Sequence, residues 1–289
     1  MTTDLGACVD PDPGEGRNGE RLLLASDLPM PETQPFAGGH AVVYTHRSPA
    51  RSSNNQDSAA LIACDGWSAP CHGMLVVADG AGGHADGDLA SALAITHLAR
   101  ALRDARAAGD PPQDALIAGI DAANKDIAGN TDNGMTTLVL AELVDDTVRI
   151  AHAGDSVALL IGRRGVIKHG TVPHSPVGYA IQAGLLDEDD AMSHHQRHII
   201  SNALGMAPLH VEVGPVLDVA PDDTLLLASD GLFDNLSTKE IVEILCEAPL
   251  LRAVQELVKL SQERMLGAGA DGRPFKPDDL TILAWRREA

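Results

Sequence analysis

Five aspartates stand at or beside the ends of apolar, strand-length runs. Asp79 closes MLVVAD (74–79), Asp155 follows TVRIAHA within HAGDS, Asp230 follows TLLLAS, Asp278 stands just before LTILAW, and Asp57 opens DSAALIA. One aspartate at a strand end is ordinary turn chemistry. Five of them, three in D-G or G-D-S form, are more than turns require. If the strand ends converge, the carboxylates repel one another, and their pKa values must rise or a cation must enter. Oxygen donors without His or Cys partners suit Mg²⁺ or Mn²⁺, not zinc. Two such ions about 3.5–4 Å apart can share and acidify a water and hold a phosphoryl oxygen for in-line attack. That is hydrolysis without a covalent enzyme intermediate.

The elements that must position these carboxylates follow from the apolar pattern. AVVY (41–44), SAALIA (58–63), MLVVA (74–78), TTLVLAEL (136–143), TVRIAHA (147–153), VALLIG (157–162), TLLLAS (224–229) and LTILAW (280–285) read as strands bounded by Gly, Asp or Asn. Helical spacing marks Asp88–Ala108, Gln113–Ala128, Ser237–Glu247 and Leu250–Leu266. In the first of these, Leu89, Leu93, Leu98 and Leu102 fall near one face, and Asp88 suits its N-terminal end. Strands come in consecutive groups and not in βαβ alternation, which predicts an α+β architecture of antiparallel sheets with helices layered outside. Residues 1–38, rich in Pro, Gly and acidic side chains, read as a loosely held extension ahead of a domain spanning 39–289.

Composition narrows the function classes. The 289-residue chain carries 21 Lys and Arg against 41 Asp and Glu, a net charge of −20. Such a surface disfavours nucleic acid and anionic membranes and favours cations. Cys8, Cys64, Cys71 and Cys246 form no CxxC pair, so they read as free buried thiols. The acidic N-terminus is unlike a signal peptide, and no apolar run approaches the ~18 residues of a membrane span. The expectation is a soluble, cytoplasmic protein.

The ordered blocks NNQD (54–57), DGAGGHADGDLAS (79–91), GMTT (134–137), HAGDS (152–156), HSPVGYAIQAG (174–184), HHQRHIISNALG (194–205), LLLASDGLFDNLS (225–237) and DDLT (278–281) carry a resemblance. Over roughly Ala41 to Arg286 the sequence resembles the metal-dependent protein serine/threonine phosphatases of type 2C, in their compact bacterial form. The resemblance implies a central sandwich of two antiparallel β-sheets flanked by α-helices, with a small flap over about 171–204. It implies that Asp79 bridges two Mn²⁺ or Mg²⁺ ions, that the Gly80 carbonyl binds one of them, and that Asp230 and Asp278 complete the set. Asp155 matches a ligand of a third, weaker ion shared with Asp230, and Asp57 matches a carboxylate acting through metal-held water. The implied partners are phosphorylated proteins and a cognate serine/threonine kinase, and the expected state is a monomer. An alternative is a regulatory pseudophosphatase; a two-metal nuclease is disfavoured by the charge.

Other residues read more plainly. His84, His152, His194, His195 and His198 lack a metal-ligand spacing and read as surface or capping side chains. Thr136 and Thr137 fill hydrogen bonds beneath the site, Phe233 is core, and Trp67 and Trp285 are too isolated to stack bases. Two departures from the family pattern stand out. Ala81 stands where many eukaryotic members carry a histidine that bacterial relatives commonly lack. Ser52 takes the place of an arginine, with Arg51 adjacent in a polar stretch that can re-aim a side chain, so Arg51 is the expected phosphate anchor and Arg47 and Arg197 are the substitutes.

Overall fold

The computed structural model describes residues 20–51, 53–64, 73–81, 86–267 and 275–287. Among the described residues, twelve strands form two six-stranded antiparallel sheets. In chain order they are β1 (Arg21–Leu23), β2 (Glu32–Phe36), β3 (Gly39–His46), β4 (Asp57–Ala63), β5 (Gly73–Asp79), β6 (Leu138–Val144), β7 (Thr147–Ala153), β8 (Val157–Gly162), β9 (Val166–Gly170), β10 (Glu212–Asp218), β11 (Thr224–Ala228) and β12 (Leu280–Arg287). One sheet runs β1-β4-β5-β6-β7-β10 and the other β2-β3-β12-β11-β8-β9. The helices are α1 (Gly87–Ala108), α2 (Pro112–Asn130), α3 (Pro176–Gln182), α4 (Glu188–Met192), α5 (Asp230–Phe233), α6 (Thr238–Glu247) and α7 (Leu250–Met265).

The apolar runs of β4 and β5 are uninterrupted because both of their faces are covered. Side chains alternate across a strand. Ala59, Leu61, Leu75 and Val77 therefore join the core between the sheets, where Val43, Leu227 and Leu283 also lie. Ala60, Ile62, Met74, Val76 and Ala78 point the other way and meet Ala94, Ile95, Leu98 and Leu102 of α1. On the far side α7 buries Leu257 and Val258 against the core of the second sheet. The layers run helix, sheet, sheet, helix.

The face of α1 differs from the expected leucine stripe. Its buried positions are mostly small, Ala90, Ser91, Ala94, Ala99 and Ala105, with Ile95, Leu98 and Leu102, while Leu89 is exposed. Small side chains let the helix lie close to the sheet. A second difference concerns residues 20–38, which do not form a loose extension. β1 pairs with β4 and β2 with β3, and Leu23, Leu28 and Phe36 are buried. Residues 1–19 lie outside the described residues, as do Cys8, Trp67, Cys71 and His84. Of the cysteines within them, Cys64 is buried and Cys246 is exposed instead of buried. Trp285 is core, its Nε1 donating to the Phe36 carbonyl at 2.9 Å.

Candidate active site

Each sheet delivers carboxylates to one end of the sandwich. On the first, antiparallel register sets Asp57, opening β4, directly opposite Asp79, closing β5. On the second, Asp230 begins α5 just beyond β11, and Asp278 precedes β12. Asp155 sits in the turn between β7 and β8. The charges register this convergence. Removal from water holds the Asp79 carboxyl well above the carboxylate range, and Asp57, Asp230, Asp278 and Asp155 push it further the same way. Burial and then Asp230 raise Asp155 to about 8 and Asp278 to about 6. Asp57 is raised well above its ordinary value by burial, then by Asp279.

The floor is rigid. Asp79 donates its N–H to Thr137 Oγ1 at 3.0 Å, and its carbonyl accepts from the Thr137 N–H at 2.8 Å and from Thr136 Oγ1 at 3.0 Å. Thr137 Oγ1 also shares a 2.6 Å hydrogen bond with Ser156 Oγ, beside Asp155. Gly80 is packed so tightly that a Cβ there would lie 2.1 Å from the Gly87 carbonyl oxygen and 2.6 Å from that of Gln56. Gly231 is equally confined, since a Cβ would sit 2.0 Å from the Asp279 carbonyl oxygen. Glycine thus follows both aspartates for want of space.

Three participants escaped the sequence reading. Lys276 reaches into the carboxylates, its Nζ 2.5 Å from Asp230 Oδ2, 2.8 Å from Asp234 Oδ2 and 3.1 Å from Asp278 Oδ2. These charges raise the ammonium's pKa against the opposing effect of burial. Asp234, raised to about 6 by burial and by Asp230, faces the same cluster. Its spacing of four from Asp230 in SDGLFD was the available signal, because i and i+4 share a helix face. Asp279 is a clamp: Oδ1 accepts from the Ser48 N–H at 2.7 Å and Oδ2 from the Gln56 N–H at 2.8 Å, fixing the chain that leads into Asp57.

The arginines divide. Arg51 Nη1 pairs with Asp278 Oδ1 at 2.9 Å, so its side chain stands at the rim of the cluster. Arg47 is engaged by Asp27, whose oxygens lie 2.8 Å from its N–H and 3.1 Å from Nε. Arg197 donates to the carbonyls of Met192 and Phe275. The flap spans α3, α4 and the chain to Leu204, which closes on Thr136 by paired backbone hydrogen bonds. In it His194 Nδ1 accepts from the Gln196 N–H at 3.2 Å, a capping role. His152, expected at the surface, is instead buried on β7.

The donor set suits hard divalent cations. Six aspartates converge, and Asp57 Oδ2 and Asp155 Oδ1 are buried with no hydrogen-bond partner, an arrangement a bound cation satisfies. A family model described as protein phosphatase 2C matches residues 46–266. The chain belongs to the protein phosphatase 2C family. Among curated relatives, the serine/threonine phosphatase stp of Listeria monocytogenes is 36% identical over 181 residues, 60% of this chain and 71% of the relative. The serine/threonine protein phosphatase PstP of Mycobacterium tuberculosis is 33% identical over 223 residues, 73% of this chain and 39% of that protein. Among solved structures, the S. agalactiae serine/threonine phosphatase superposes with a TM-score of 0.69 at 29% identity, over 86% of this chain and 99% of that one. The catalytic domain of PstP with two manganese ions gives 0.66 at 25%, over 86% and 98%. This protein phosphatase 2C member is accordingly a metal-dependent serine/threonine protein phosphatase, and phosphorylated proteins are its substrates.

Proposed function

We propose that Asp79, the Gly80 carbonyl, Asp230 and Asp278 hold two Mn²⁺ or Mg²⁺ ions, that Asp155 serves a third, weaker one with Asp230, and that Asp57 acts beside them through ordered water. The observation that carries this reading is the convergence of carboxylates from both sheets on one point, with buried oxygens of Asp57 and Asp155 left without partners. Bound there, the ions supply Lewis acidity, lowering the pKa of a water and neutralising phosphoryl charge. The chain's own residues do the rest. The Thr137 and Thr136 hydrogen bonds fix Asp79, the Asp279 clamp fixes the approach to Asp57, and the confined Gly80 brings main chain against the site. Arg51, at the rim on Asp278, is within the site's reach and is the proposed anchor of the substrate phosphate.

The substrates are phosphoserine and phosphothreonine side chains, and a cognate serine/threonine kinase is the partner that supplies them. Among the described residues no helix is long and apolar enough to cross a membrane. The charge of −20 disfavours nucleic acid as a partner, and a cytoplasmic monomer remains part of the proposal. Titrating Mn²⁺ into EDTA-stripped protein tests the ligand set. Wild type should bind two ions tightly, Asp230→Asn should lose at least one, and an unchanged stoichiometry would refute the assignment.

A further inference from the structure

The buried imidazole of His174 has no part in the chemistry so far, yet it joins the metal-site turn to both ends of the flap. The His174 main-chain N–H donates to the Gly154 carbonyl at 2.9 Å, and its ring Nδ1 accepts the Gly154 N–H at 3.1 Å. Gly154 is the residue before Asp155. From the far end of the flap, Asn202 Nδ2 donates to the same Nδ1 at 2.8 Å, and the Ser201 N–H and Oγ donate to the His174 carbonyl at 2.9 and 2.8 Å. Gly154 itself has φ +113, and a Cβ there would lie 2.6 Å from Thr137 Cβ. A turn in that conformation keeps its shape only while its surroundings hold it.

His152, His174 and Glu212 also bring three potential ligand atoms within 4.8 Å of one another. The hydrogen bonds argue against a metal among them. Two N–H donors on Nδ1 leave the proton of His174 on Nε2, which faces Glu212 Oε2 at 3.5 Å. His152 Nε2 donates to the Val172 carbonyl at 2.9 Å. The two rings stack at 4.4 Å with 27° between their planes, so their lone pairs lie in separate, nearly parallel planes and do not converge on one ion.

We infer that His174 is a positioning residue: by clamping Gly154 it aims the Asp155 carboxylate at the cluster and makes occupancy of the third, weaker cation depend on the flap being docked. The inference rests on the proposed reading of Asp155 as a ligand of that cation. It predicts that loss of the ring acceptor weakens the third cation while leaving the two tighter ones in place.

The experiment compares His174→Leu, which fills similar space without an acceptor, with His174→Asn, whose Oδ1 falls where Nδ1 does. The readouts are calorimetry for the tight Mn²⁺ sites and the Mn²⁺ concentration giving half-maximal phosphate release from a phosphothreonine peptide. His174→Leu should bind two Mn²⁺ as wild type does and need about tenfold more Mn²⁺ for half activity, and His174→Asn should restore the wild-type midpoint. A merely structural role would lower the melting temperature or active fraction and leave that midpoint unmoved, which would overturn the inference. So would equal defects in both variants, or one Zn²⁺ per chain in wild type that His174→Asn loses. If His174→Leu does not fold, Asn202→Ala, which removes one donor to the ring, must raise the midpoint; an unmoved midpoint sinks the proposal. Wild type that releases no phosphate with Mn²⁺ would instead defeat the underlying reading of the site, and the inference with it.

Discussion

Lys276 Nζ lies 2.5 Å from Asp230 Oδ2, so an ammonium from this chain shares the carboxylates proposed to hold the divalent ions. It touches Asp234 and Asp278 as well. A cation entering among these oxygens competes with one already in contact. Lys276→Met should therefore tighten Mn²⁺ binding by about tenfold or more, measured by calorimetry, and lower the melting temperature of the protein in EDTA, where carboxylate repulsion loses its counter-charge. Unchanged affinity would mean that the lysine swings aside without cost.

Asp79 receives repulsion from four other aspartates. Asp79→Asn removes one charge from the cluster at almost constant volume. In EDTA at pH 8 the variant should melt higher than wild type, gain little on adding Mn²⁺, and show no phosphatase activity. Near-normal turnover would contradict the role given to this residue.

The raised carboxyls set a pH window. The unfolded chain releases the Asp155 proton near 3.9, whereas the folded protein holds it to about 8, and holds that of Asp278 to about 6. Between roughly pH 4 and 8 the folded state thus binds more protons than the unfolded one, so stability in EDTA should fall as pH rises through that interval. Divalent ions need these groups ionised, so Mn²⁺ affinity should climb from pH 6 to 8. Melting curves across that range, with and without Mn²⁺, check both signs; a flat profile in each would show that the carboxyls titrate normally.

Two glycines make a paired test of space. Gly80→Ala drives a methyl onto the Gly87 and Gln56 carbonyls and should cost about 1–3 kcal/mol together with most of the activity. Gly129→Ala, on α2 with open space around it, should be neutral or stabilise by up to about 1 kcal/mol. Equal effects from the two would rule out steric confinement at Gly80 as the cause.

The eight strands anticipated from apolar runs are the interior ones. The four that were not, β1, β2, β9 and β10, are the outer strands of the two sheets. An edge strand has one hydrogen-bonded neighbour and less cover, so it needs no apolar run: β9 and β10 are largely exposed, and β2 tolerates Pro35. The same logic separates the site residues. Asp57, Asp79, Asp155, Asp230 and Asp278 were legible because each punctuates an apolar run. Lys276 follows a stretch of sequence without periodicity, and nothing local signals that its side chain turns back onto Asp230. Nor did spacing reveal that the flap is tied down through His174, because its partners at Gly154 and Asn202 are 20 and 28 residues away.

On the reading proposed above, this cluster of aspartates works as a divalent-metal phosphatase centre. Phosphate release from a phosphothreonine peptide, measured on wild type and Asp79→Asn with Mn²⁺ and with excess EDTA, tests it most directly. Wild type should turn over with Mn²⁺ and not in EDTA, and Asp79→Asn should turn over in neither. Turnover that survives EDTA, or survives in Asp79→Asn at ordinary Mn²⁺ concentrations, would contradict it.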